Sequence, residues 1–171
     1  GISNTSVLGG KMGKAIREGE IVLGGGSFDL GAGYTQSSKI QLSGNTTDAT
    51  ATNLNVQDIA GSYITLQTNS ILGYTLYLTR LETGGSSGTA GNYSYRLQRG
   101  AIKTNNSGTI TIAAGSTTDI ANIGVKGSFQ LVGSSDGGIP SIIIEVTDRA
   151  NVNNLWSATI YLHELRTNIA F

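Results

Sequence analysis

The chain has 171 residues, 11 Lys+Arg against 11 Asp+Glu, 38% apolar residues and no cysteine, which suits one globular domain. Zero net charge without a dense Lys/Arg cluster removes the electrostatic term behind nucleic-acid binding, and the lack of Cys excludes disulfides, thiolate metal sites and a Cys nucleophile. No apolar run approaches the ~18 residues of a transmembrane helix, so no membrane insertion is expected. Charged residues make up only 13% of the chain, while Ser, Thr and Asn make up roughly 30%, so the surface is rich in hydroxyl and amide groups rather than ionic.

In chain order, residues 1–33 read as a glycine-rich lead-in, with residues 34–171 as the domain proper. The lead-in is either a linker or a strand packed against another subunit. The chain opens at Gly1 without Met, as a fragment or processed product does. Only Lys11 to Glu20 has any helical character, and Gly13 and Gly19 weaken it. The rest alternates in the manner of half-buried strands. Strands are expected at Lys39 to Ser43, Asn53 to Gln57, Tyr63 to Gln67, Tyr74 to Leu81, Tyr93 to Lys103 and Thr109 to Ala113. In Tyr74 to Leu81 one face carries Tyr74, Leu76 and Leu78, and the other Thr75, Tyr77 and Thr79. Val125, Phe129 and Leu131 form the inward set of a strand over Val125 to Val132. Ile142, Ile144 and Val146 form the next set, and Trp156, Ala158, Ile160 and Leu162 the last, opposite Ser157, Thr159, Tyr161 and His163. Gly44-Asn45, Gly84-Gly85, Asn105 to Gly108 and Ser134 to Gly138 read as hairpin loops. About ten short strands without crossover helices predict an all-β, antiparallel β-sandwich, jelly-roll-like, with a barrel as the other closure.

The chemistry is sparse. His163 is the lone histidine and has no nucleophile-elbow motif to serve. The glycine runs at 24–26 and 84–85 lack the strand–helix context of a phosphate loop. One His and no Cys exclude the usual zinc sites, and no spaced Asp/Asn loop supports calcium, so neither metal nor cofactor is expected. Among the scattered carboxylates, Glu145 and Glu164 are the best pair for glycoside hydrolysis, because both fall on strands. Sugar-binding surfaces stack pyranose rings on exposed aromatics and ring them with hydroxyl and amide groups. Tyr77 and Tyr161 fall on polar strand faces, Asn92, Tyr93 and Tyr95 lie at a loop-to-strand edge, and Asp136 sits in a polar loop. These six are the candidate glycan-binding residues.

The stretch Gln36-Ser37-Ser38-Lys39-Ile40-Gln41-Leu42-Ser43-Gly44-Asn45-Thr46-Thr47-Asp48-Ala49-Thr50, preceded by Ser27-Phe28-Asp29-Leu30-Gly31-Ala32-Gly33, resembles a segment of the C-terminal receptor-binding modules of tailed-bacteriophage tail fibres and tailspikes. Tyr93 to Lys103 resembles their Ala-Tyr-x-x-x-Gly-Ala-Ile-Lys strand, and Leu155 to Ile160 their closing Trp-x-Ala strand. The resemblance covers about residues 27 to 165. Two places depart from it: Leu78 to Thr83 lacks the family's paired arginines and acidic loop, and the last strand continues to His163-Glu164 instead of a run of valines.

The resemblance implies a homotrimeric module at the end of a phage tail fibre, assembled in the host cytoplasm and carried on the virion tail. Its partners would be a bacterial surface polysaccharide or lipopolysaccharide and other phage tail proteins. The leading expectation is adhesion without catalysis, so not an enzyme. The alternatives are a glycan-depolymerising or esterase module using Glu145 and Glu164, and a structural fibre-connecting domain that binds no glycan.

Overall fold

The computed structural model describes residues 4–26 and 31–171. Ser27 to Leu30, within the approach to the Gln36 segment, and residues 1–3 lie outside them. The described residues contain eleven strands and no α-helix: β1 (Ser6–Gly9), β2 (Ile21–Gly24), β3 (Thr35–Thr46), β4 (Thr52–Val56), β5 (Ile64–Thr65), β6 (Ser70–Gly84), β7 (Tyr93–Thr104), β8 (Ile110–Ile123), β9 (Ser128–Asp136), β10 (Ile139–Thr147) and β11 (Asn153–Arg166). The all-β class expected from alternation is therefore what forms.

A large antiparallel sheet runs β2-β3-β11-β6-β7-β8, and β1 adds to β2 in parallel. The ribbon β9-β10 carries β4 and β5 on the other side of β10. β4 also pairs with β3 through Leu42↔Val56, so the hydrogen-bonded path turns continuously from the large sheet into the ribbon without closing into a barrel. The core lies between them. Ile40 and Leu42 of β3, Leu72, Leu76 and Leu78 of β6, Ile142, Ile144 and Val146 of β10, and Trp156, Ala158, Ile160 and Leu162 of β11 form one buried cluster. Each fully buried aliphatic contributes about 1.5–3 kcal/mol.

Two local expectations are corrected. Gly44-Asn45 is not a hairpin loop but lies inside β3. A side chain at Gly44 would place its Cβ 2.8 Å from Leu54 Cδ2, so glycine lets β4 close over β3 there. The chain turns instead after Thr46, where Asp48 Oδ1 accepts the Thr50 N–H at 2.7 Å. Val125 does not point inward and is 49% exposed, in a loop turned by Gly124 (φ +79°) and Gly127 (φ +66°). Its carbonyl is drawn to Arg80 Nη1 at 2.6 Å, which takes the loop out of strand geometry. Phe129 and Leu131, from the same expected set, do pack against the core.

The inward phase of two strands ends in charge. On β6 it passes from Leu78 to Arg80 and Glu82. Arg80 donates to Glu82 Oε2 at 2.7 Å and to Asp148 Oδ2, with all three side chains fully buried, and Arg149 closes on Glu82 from outside at 3.0 Å. On β11 it passes from Leu162 to Glu164, which binds Arg17 Nη2 at 2.8 Å. Arg17 Nη1 also binds Glu20 at 2.8 Å, and its Nε donates to the Thr65 carbonyl at 2.7 Å. Burial works against the Arg17 charge, but the two carboxylates more than offset it and hold its pKa above the ordinary value. Burial likewise pushes Glu82 up, yet the Thr89 N–H and the Arg80 and Arg149 guanidiniums outweigh it and hold the carboxyl below its ordinary 4.5.

These networks predict a steep hierarchy in urea denaturation. Arg80→Met takes the buried guanidinium from Glu82 and Asp148, leaving only the half-exposed Arg149 to pair with them, and lowers stability by about 3–5 kcal/mol, whereas Arg149→Ala, whose side chain is 40% exposed, costs about 1 kcal/mol or less. The pH dependence has a definite sign. A carboxylate with a depressed folded pKa stabilises fully above its unfolded value and loses that contribution as pH falls through the folded one. Stability therefore drops on acidification below about 4.5, and Glu82→Gln is less stable at neutral pH with a shallower acid loss.

Candidate functional site

The face of the large sheet turned away from the core is organised by strand register. One row across the strands reads Lys39 (β3), Tyr161 (β11), Thr75 (β6), Arg99 (β7). The next reads Gln41, Thr159, Tyr77, Leu97, and the one after it Ser43, Ser157, Thr79, Tyr95. These residues follow from the alternation that buries Ile40, Leu76, Leu78, Ala158 and Ile160: every residue between two core residues must face out. Threonine and tyrosine suit such positions, because their β-branched or aromatic bodies cover the pleat while the hydroxyl stays in water.

Tyr77 is the centre. Its ring stacks on Tyr95 with centroids 6.0 Å apart and an interplanar angle of 21°, and meets Tyr161 edge-on at 6.1 Å and 83°. The three rings line an open groove of about 610 Å³, together with Thr75, Thr79, Ser157 and Thr159 along the floor and Lys39, Arg99 and His163 around it. His163 Nδ1 lies 3.0 Å from Ser37 Oγ, which fixes the ring. Tyr161 is 40% exposed, so the platform is open to solvent. Rigid aromatic rings beside a field of hydroxyls and two cations make a surface that can stack sugar rings and hydrogen-bond their substituents.

Of the six residues singled out in the sequence, the structure brings Tyr77, Tyr95 and Tyr161 together. Tyr93 lies on the same face one row beyond Tyr95, opposite Leu81. Asn92 turns its amide toward Glu82 at 3.5 Å. Asp136 stands at the β9–β10 hairpin in the other layer. Glu145 and Glu164 are not brought together: Glu164 is buried on Arg17, while Glu145 accepts from Gln130 Nε2 at 2.6 Å on the ribbon. Among the described residues there is no group of three or more His, Asp or Glu side chains arranged to hold a metal ion. Lys39 and Arg99 were not singled out, because only the pairing of four strands places them in one row.

No family model matches the chain, and no curated protein does. Among solved structures it is similar to the tailspike protein of Acinetobacter baumannii phage AM24, at 9% identity and a TM-score of 0.43, over 78% of this chain and 27% of that one. It is also similar to the tailspike protein gp49 of Acinetobacter baumannii bacteriophage Fri1, a capsular polysaccharide depolymerase, at 9% identity and a TM-score of 0.35, over 82% of this chain and 19% of that one. The chain thus spans about a quarter or less of each tailspike's length. The description of the second as a depolymerase overturns the expectation that this chain is not an enzyme, and adhesion without catalysis is not retained.

Proposed function

We propose that this chain is a host-recognition module of a bacteriophage tail that engages bacterial surface polysaccharide through the groove of Tyr77, Tyr95 and Tyr161. The observation that carries the reading is the convergence of three tyrosines from three strands into one open, hydroxyl-lined groove. The tail-fibre resemblance of the Gln36 to Thr50, Tyr93 to Lys103 and Leu155 to Ile160 segments supports it from the sequence side. Tyr93 extends the same face. A homotrimer on the virion tail suits the edge strand β8, whose residues 113–123 are exposed on both faces and include Ile120 and Ile123. Several copies raise avidity by effective concentration without new contacts.

Titration of the protein against a panel of isolated capsular polysaccharides and lipopolysaccharides tests the reading. At least one polymer binds, and Tyr77→Ala weakens it by about tenfold, the scale of a lost aromatic stacking partner. Chain-length analysis of the same mixtures reports cleavage directly. A panel without binders, or Tyr77→Ala and Tyr161→Ala variants that bind like the parent, contradicts the proposal. In solution, light scattering is expected to give three times 17.7 kDa; a monomer at every concentration contradicts the trimer alone.

A further inference from the structure

The surface of this protein is poor in charge, and most of its cations are already committed. Of the eleven Lys and Arg, Arg17, Arg80, Lys126 and Arg149 are in ion pairs. Arg96, Lys103 and Arg166 lie over the rings of Phe129, Phe171 and Tyr34 at 4.7, 4.7 and 4.8 Å. Lys11 and Lys14, in the segment between β1 and β2, are also without an ion pair among the described residues but lie outside the groove. The two that remain, Lys39 and Arg99, both line the tyrosine groove, and neither has an ion-pair partner among the described residues. No acidic residue lines it. They end one cross-strand row, Lys39–Tyr161–Thr75–Arg99, three inter-strand steps or roughly 14 Å apart.

We infer that the groove selects an acidic polysaccharide, one whose sugars carry carboxylates, lying across the strands from β3 to β7 with anionic groups at Lys39 and Arg99 and rings on Tyr161 and Tyr77. This rests on the proposed function and narrows it to one substrate class. A neutral glycan uses the rings and hydroxyls but leaves two cations idle, while an acidic one uses both sets. Arg99 presents a planar fork matched to a carboxylate, and Lys39 a mobile point charge. Both sites are open to solvent, so each cation contributes up to about fivefold in affinity, and the gain is screened by salt.

The test uses polygalacturonate, a hexuronate polymer, and the same polymer after carboxyl reduction, with polyglutamate as a polyanion lacking sugar rings. The full chain is expected to bind polygalacturonate about tenfold more tightly than the reduced polymer at low salt, and to bind polyglutamate no better than the reduced polymer. The Lys39→Gln/Arg99→Gln variant loses the preference for polygalacturonate, and Tyr77→Ala weakens binding to both sugar polymers. Both variants change exposed or half-exposed groove residues and are expected to melt within a few degrees of the parent. Equal binding to the two sugar polymers, a preference that survives the double substitution, equal binding to polyglutamate, or no binding to polygalacturonate overturns the inference. Tyr77-dependent binding of the reduced polymer alone removes the acidic preference and leaves the surface-polysaccharide reading standing, whereas failure across the bacterial polysaccharide panel removes both.

Discussion

From Asn154 to Leu165, β11 is hydrogen-bonded on both sides, to β3 and to β6, and that double pairing places every other element of the large sheet. A strand so held cannot slip, since a shift of one residue would carry Trp156, Ala158, Ile160 and Leu162 out of the core and put Ser157, Thr159, Tyr161 and His163 into it. The same constraint therefore sets the core and the groove at once. β6, in the same relation to β11 and β7, contributes Leu72, Leu76 and Leu78 to one side and Thr75, Tyr77 and Thr79 to the other. The candidate site is the reverse side of the core, as rigid as the core because it shares its backbone.

Charge is divided between the two faces in opposite ways. Inside, Arg80 and Arg17 each sit between two carboxylates, desolvated and paired, where they fasten segments remote in sequence: Asp148 to β6, and the 17–20 turn to β11. Burial of such groups is costly, and their geometry recovers the cost only while every partner is present. Outside, few charges remain, and two of the unpaired cations, Lys39 and Arg99, stand at the tyrosine groove. A low overall charge thus conceals a fold whose interior is unusually ionic and whose outer face is mostly hydroxyl.

Much of this was legible in the sequence. Alternation in 74–79, 142–146 and 156–163 assigned the faces correctly because those strands are buried on one side and wet on the other, which makes the period of two sharp. It put Tyr77 and Tyr161 on the outer face, though not beside each other, since neighbours across a sheet depend on register and register depends on pairing. The inward phase also carried an unused signal: continued beyond Leu78 and Leu162 it reaches Arg80, Glu82 and Glu164, so the buried ion networks stood in the pattern. Gly44 misled because a glycine beside an asparagine suggests a turn, while here the missing side chain makes room for Leu54. Val125 misled because a backbone carbonyl bond to Arg80 leaves no trace in hydrophobic periodicity. β1 and β2 escaped notice because four residues each offer too few alternations to read.

The central claim is that the outer face over β3, β11, β6 and β7 is where this protein meets a polysaccharide. The most direct measurement is a two-dimensional NMR titration with a bacterial polysaccharide fragment, following backbone amides and tyrosine ring signals together. The account predicts that the perturbed signals cluster on Lys39, Thr75, Tyr77, Tyr95, Arg99, Thr159 and Tyr161, with the ribbon β9-β10 unmoved. Perturbations centred on the β9–β10 hairpin, on the edge of β8 or on the loop around Asn92 would contradict it.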